Sequence, residues 1–331
     1  MNGRDCLQCI FDGKKPERLP KIEWATWWDL TMKRWQTEGL DTSLANKTIK
    51  MNFGLDYDRQ IWFPTINNCK DTPKFKEQGY ISDEEEYEKI RPFLYDKKMI
   101  YDLLPELDRI HEQDEEQGAI TWFTLDGFFW FPRVLFGIED HLYSFYDYPE
   151  LYHRICQDMV DYYLFLIEET MKHWHPQFMT FAEDMSYNLG PMLSEQTFNE
   201  FLKPYYDQII PVLKRYNIRV FVDTDGDLTK MVPWLINAGF NGALPLERQA
   251  GVDINMLTQQ YPDFMFLGGY DKMIMKFGEE AMTKEFERIL PAMRRGHYIP
   301  SVDHQTPPDV SLENYKIYIE LLEKYCKLAV K

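Results

Sequence analysis

The chain has 331 residues and no surplus of positive charge: 37 Lys and Arg stand against 54 Asp and Glu, a formal charge of −17. Without a basic stripe to displace counterions, a nucleic-acid partner is not expected. No run approaches the ~18 apolar residues of a membrane span, and the opening MNGRDCLQCIFDGKK has no apolar signal core. A cytoplasmic protein with no membrane association is therefore expected. Cysteine is sparse and irregular, five residues at 6, 9, 69, 156 and 326. The Cys6-Leu-Gln-Cys9 spacing is half of a zinc ribbon with no second pair, so these residues read as reduced thiols. No Gly-x-Gly-x-x-Gly follows a strand-like run, which weakens a dinucleotide-binding reading. No Pro/Gly/Ser linker divides the chain, and one domain over 1–331 is expected.

Apolar and aromatic residues are abundant, at 44% hydrophobic with 9 Trp, 21 Tyr and 22 Phe. From residue 118 a rhythm sets in. The β-prone runs AITWFTL (119–125), QFMTFAED (177–184), IRVFVDTD (218–225), FNGALPLE (240–247), DFMFLGGYD (263–271) and HYIPSVDH (297–304) are each followed by helix-patterned sequence. Such alternation predicts parallel strands with crossover helices. Two earlier runs, PKIEWAT (20–26) and LDYDRQIWF (55–63), bring the tally near eight. The expected fold is an α/β (β/α)8 TIM barrel with an N-terminal extension, and an open doubly wound sheet is second. The polar segment 66–92 reads as a surface excursion.

Five successive strand-like runs end in acids: Glu183-Asp184, Asp223-Thr-Asp225, Glu247, Asp271 and Asp303-His304. In a barrel the C-terminal strand ends converge on one site. Carboxylates gathered there raise one another's pKa unless protons or a cation intervene, and a divalent metal would relieve the repulsion. If the strand in FVDTDGD persists to Asp225, then Asp223 and Asp225 share a face. With His304 they offer an O,O,N ligand set. Asp227, beyond Gly226, reads as a helix cap. A calcium loop does not fit, because Leu228 and Trp234 occupy its glycine and glutamate positions.

The blocks PSVDHQTPPDVSLENY (300–315), FVDTDGD, GFFWFPRVLFG (127–137), AEDMSYNLGPMLSEQTFNEFLKPYY (182–206) and PLERQAGVD (245–253) resemble the uroporphyrinogen decarboxylase superfamily. The likeness is nearest to its cobalamin-dependent methyltransferase branch, covers roughly the C-terminal two-thirds well, and implies the same barrel. Decarboxylase chemistry itself fits poorly. The Arg-Gln-Ala-Gly-Arg motif that grips substrate carboxylates is replaced by IEWATWWDL, and QIWFPT offers no counterpart of the catalytic aspartate.

Within the methyltransferase branch, thiol methylators carry His-x-Cys and a later Cys as zinc ligands. Here Asp223-x-Asp225 takes the first pair of positions and His304 the last. The resemblance thus implies a metal site of Asp223, Asp225 and His304, with zinc the suspected ion. Harder ligands leave a metal more Lewis acidic and suit an ether oxygen as leaving group. The expectation is a methyltransferase that demethylates an O-methylated, possibly aromatic, small-molecule donor. The methyl acceptor would be Co(I) of a partner corrinoid protein, since this chain lacks the Asp-x-His-x-x-Gly corrinoid motif. Glu183, Asp184 and Glu247 are candidate catalytic acids or ligands. Trp27, Trp28, Trp122, Phe129 and Tyr187 are candidates to hold the donor, although most such aromatics belong to a core. A homodimer is compatible with this reading. The alternative is a metal-dependent lyase or decarboxylase of the same superfamily, acting on a small acid without cobalamin.

Overall fold

The computed structural model describes residues 1–75 and 79–331. Residues 76–78 of the expected surface excursion lie outside the described residues. The β-branched and aromatic runs form strands β1 (Asp58–Trp62), β2 (Ile120–Asp126), β3 (Phe178–Ala182), a two-residue hairpin β4 (Ser186–Tyr187) and β5 (Gly190–Pro191), then β6 (Arg219–Asp223), β7 (Gly242–Leu244), β8 (Met265–Tyr270) and β9 (Tyr298–Val302). Seven of them make one parallel sheet in the order β1-β2-β3-β6-β7-β8-β9. The strands β2, β3, β8 and β9 are buried on both faces almost throughout, as parallel strands covered by helices require.

The crossover helices begin and end where local chemistry dictates. Ser194 accepts from Thr197 N at 3.1 Å, and Asp253 from Asn255 N at 2.9 Å. Gly239, at φ 93°, closes the helix Val232–Ala238 in the left-handed conformation expected of it. Among the described residues no helix is long and apolar enough to cross a membrane.

Register places alternate side chains of β1, β2, β3 and β6 in layers. The lowest is aromatic: Trp122 stacks on Phe178 at 5.2 Å, Phe178 meets Phe221 at 5.4 Å, and Phe11 of the helix Gly3–Phe11 closes it from beneath. Above it Gln60 donates to Thr124, which pairs with Thr180 at 2.7 Å. The uppermost layer is Trp62, Asp126, Ala182 and Asp223. The barrel's polarity therefore rises along the strands, from a dry floor to an acidic mouth.

The expected eighth strand is a correction. Residues 20–24 join no ladder, and the barrel is a curled seven-stranded sheet. That segment nevertheless bridges the two sheet edges through side chains. Trp24 Nε1 donates to Val302 O at 3.1 Å and Ser301 Oγ to Glu23 Oε2 at 3.1 Å on the β9 side. Lys50 Nζ donates both to Glu23 O and to Asp58 of β1. Pro20 removes one backbone donor, and these side-chain bonds replace the ladder.

Candidate active site and metal centre

At the C-terminal end of the barrel a cavity of about 260 Å³ is lined by Trp24, Trp62, Trp130, Ala182, Asp184, Asp223, Asp225 and His304. Strand β6 ends at Asp223, not at Asp225, yet both aspartates face this cavity. His304 Nε2 lies 3.6 Å from Asp225 Oδ2, with its ring edge-on to Trp24 at 5.8 Å. Ligand atoms of Asp225, Glu247 and His304 fall within 4.8 Å of one another. Two of the three candidate ligands, Asp225 and His304, thus stand together with the candidate acid Glu247, while Asp223 sits on the cavity wall.

Glu247 is held by two contacts. Its Oε2 accepts from Gly226 N at 2.9 Å, and Lys272 Nζ lies 3.9 Å from Oε1. Gly226 is at φ 81°, and a Cβ there would come within 2.5 Å of the Tyr187 backbone. Only glycine therefore brings this N–H to the carboxylate. Lys272 also pairs with the buried Asp303 at 3.2 Å, and Asp303 accepts from the backbone N–H of Arg248 and of Lys272. Asp303 thus ties the turns after β7 and β8 together behind the cavity.

The cavity acids carry the electrostatic signature of crowding. Burial, then the neighbouring Asp184 and Glu247, push the Asp225 carboxyl up to about 7. Burial, Asp184 and Asp225 raise Asp223 well above the usual carboxylate range. Asp184 is also raised, chiefly by burial, and sits at φ 43°, a left-handed conformation few non-glycine residues adopt. Burial and the Lys272 ammonium lower His304, so its imidazole is held in the neutral form a metal ligand requires. Two carboxylate oxygens and a neutral imidazole nitrogen, in a surplus of negative charge, fit a divalent cation with an open position.

The other rim acids do different work. Glu183 is fully buried outside the cavity. Its carboxylate accepts from the backbone N–H of Phe128, Phe129 and Trp130 at 2.8, 2.7 and 3.2 Å, and from the Tyr206 hydroxyl. Burial lifts it to about 7 against the pull of those donors. A Cβ at Gly127 would lie 1.9 Å from its carboxyl carbon, so the seat is closed. Asp271 accepts from Met273 N and Gln249 Nε2, and Asp227 accepts from Thr229 N one residue ahead of the N-cap Leu228, so it braces the turn rather than capping the helix.

The candidate donor-binding aromatics are mostly elsewhere. Trp27 packs with Trp35, Phe53 and Tyr315 in the core, Trp122 belongs to the barrel floor, and Phe129 packs on His141. Trp28 and Tyr187 are exposed and line no part of the cavity. From the aromatic stretches WATWWD (24–29) and TWFTLDGFFWF (121–131), which hold four of these candidates, it is Trp24 and Trp130 that reach the cavity.

A family model for uroporphyrinogen decarboxylase matches residues 134–325, more than half of the chain. The chain belongs to the uroporphyrinogen decarboxylase family. A uroporphyrinogen decarboxylase from Hydrogenobaculum sp. (strain Y04AAS1) is 29% identical over 84 residues, which is 25% of this chain and 24% of that enzyme's length. A methyltransferase from Methanosarcina mazei shares the fold, with a TM-score of 0.62, 12% identity, and coverage of 98% of this chain and 99% of the other.

This member of the uroporphyrinogen decarboxylase family contains site residues that pattern reading passed over. Trp62 and Asp126 share the uppermost layer, where Trp62 Nε1 and Thr65 Oγ1 both donate to Asp126. Their signal was present, since each ends a β-prone run. Lys272 lay one residue beyond Asp271, and only the turn's geometry directs it inward. Arg133 had no signal of its own within the apolar GFFWFPRVLFG.

Proposed function

We propose that this protein is the methyltransferase component that removes a methyl group from an O-methylated donor and delivers it to Co(I) of a partner corrinoid protein. The observation that carries the reading is the trio Asp225, Glu247 and His304, two oxygens and one nitrogen with no thiolate, of which Asp225 and His304 line a cavity walled by three tryptophans. Bound by these three residues, a divalent cation would act as a Lewis acid on the departing ether oxygen. Trp24, Trp62 and Trp130 exclude water from the methyl group and leave its carbon open to attack from the mouth. Asp184 and Asp223, whose carboxyls burial raises, line the same cavity and are the candidate acids for an oxygen that leaves as alkoxide or phenoxide. Asp303 and Lys272 fix the turn that carries Glu247, so the site is rigid before the donor arrives.

The test is to mix the purified protein with a panel of methoxyarenes and a reduced corrinoid protein. A methylated corrinoid, seen by its absorbance change and dependent on this protein, is the expected result. Metal-dependent turnover of a small acid with no corrinoid requirement would instead establish the lyase reading that the family name favours. Methylation of thiols without donor demethylation would also overturn the proposal.

A further inference from the structure

A second, larger hollow of about 470 Å³ adjoins the acidic cavity and is lined by Phe75, Trp130, Arg133, Val134, Gly137, Ile138, Glu139 and Asp140. Trp130 is the wall common to both. The two differ sharply in character. Three aspartates and a histidine face the small cavity, which disfavours a carboxylate there. The larger hollow is apolar on most sides and has a guanidinium in its lining.

Arg133 is poised for a ligand by its neighbours. Its guanidinium lies 5.2 Å from the Trp130 ring centre, and Nη1 donates to the Asp184 carbonyl at 3.4 Å. Its charge favours the ionised Asp184 carboxyl, but among the described residues its guanidinium forms no ion pair with a carboxylate, although the chain carries 54 acids. Such a group, half-buried in a protein of charge −17, places a cation in the hollow beside the reaction cavity. Stacking on an indole leaves the guanidinium fork free to take a carboxylate through two parallel bonds. Glu139 and Asp140 occupy the exposed part of the hollow, where they repel a second negative charge.

Resting on the reading of methyl-ether demethylation above, we infer that Arg133 is a specificity residue. It selects a donor with a single carboxylate and a flat body, whose ring lies along Trp130 and whose methoxy end enters the acidic cavity. The charge pattern of the two hollows fixes the donor's direction, because the reverse placement would put a carboxylate among aspartates.

The experiment compares 4-methoxybenzoate with its uncharged counterpart 4-methoxybenzamide. Binding is read by tryptophan fluorescence and calorimetry on the whole protein, with no methyl acceptor present. Wild type is expected to prefer the acid, and Arg133→Gln to lower that acid-over-amide preference by about 10- to 100-fold, the worth of a charge-assisted pair. Arg133→Lys should retain part of the preference, which separates a lost charge from a disturbed Asp184 turn. Equal affinity of wild type for acid and amide, or a preference unchanged in Arg133→Gln, would overturn the inference. Because no corrinoid is needed, acid binding through Arg133 without methyl transfer would fault the function and leave this inference standing.

Discussion

Glu183 and Asp184 are adjacent in sequence and opposite in circumstance. Glu183 sits in a closed seat where three backbone N–H groups and the Tyr206 hydroxyl meet its carboxylate. Asp184, turned by its positive φ, lines the open cavity with Asp223 and Asp225, where burial raises its carboxyl and the Asp225 backbone N–H and the Arg133 charge only partly offset that. Both are acids at a strand end, and chain position does not distinguish them. Accessibility does: the Glu183 carboxylate is met by four donors and sealed from the cavity, whereas Asp184 lines it.

The contrast is broken most severely by removing a ligand. Asp225→Ala and His304→Ala should each abolish stoichiometric divalent-metal binding by metal analysis, with the fold retained by circular dichroism. Glu183→Ala should do the reverse. It orphans several buried donors, should cost about 3 kcal/mol or more of stability in denaturant unfolding, and acts on metal only through that loss. If Glu183→Ala were stable and metal-free, the assignment of the two acids would be inverted.

A third acid sharpens the comparison through pH. Glu23, in the seam between β9 and β1, is buried with one bond from Ser301, and burial lifts it to about 7. A folded pKa above the unfolded value means that its contribution is whole below about pH 4.5 and is lost as pH rises through 7. Glu23→Gln should therefore gain stability on wild type between pH 5 and pH 8, on the order of 2 kcal/mol. A gain that stays constant with pH would contradict a titrating Glu23. The smallest effect belongs to Trp28, exposed and outside the cavity, where Ala should change stability by about 0.5 kcal/mol or less. Donor binding should be the same in Trp28→Ala as in wild type.

Much of this was legible in the sequence because period and position carry it. The alternation of strand and helix gave seven of the eight expected strands, and the acids at their ends mark the mouth. Residues 20–24 misled because apolar alternation speaks of burial, whereas their place in the seam is held by side chains of Glu23, Trp24 and Lys50. Asp225 and His304 were reachable from strand ends. Glu247, also a strand-end acid, comes beside Asp225 and His304 because the turn after β6 brings Gly226 N to its carboxylate, while Asp223 lines the same cavity. The tryptophans show the same limit. Each aromatic stretch sends one ring to the cavity, and which one depends on helix and turn directions that composition does not encode.

The most direct test of the central claim is anomalous diffraction from crystals grown with zinc. The account predicts one strong peak per chain, bounded by Asp225, Glu247 and His304, and none beside the Glu183 seat. A peak elsewhere with those three residues unliganded, or no peak at any zinc concentration that preserves the crystals, would contradict it.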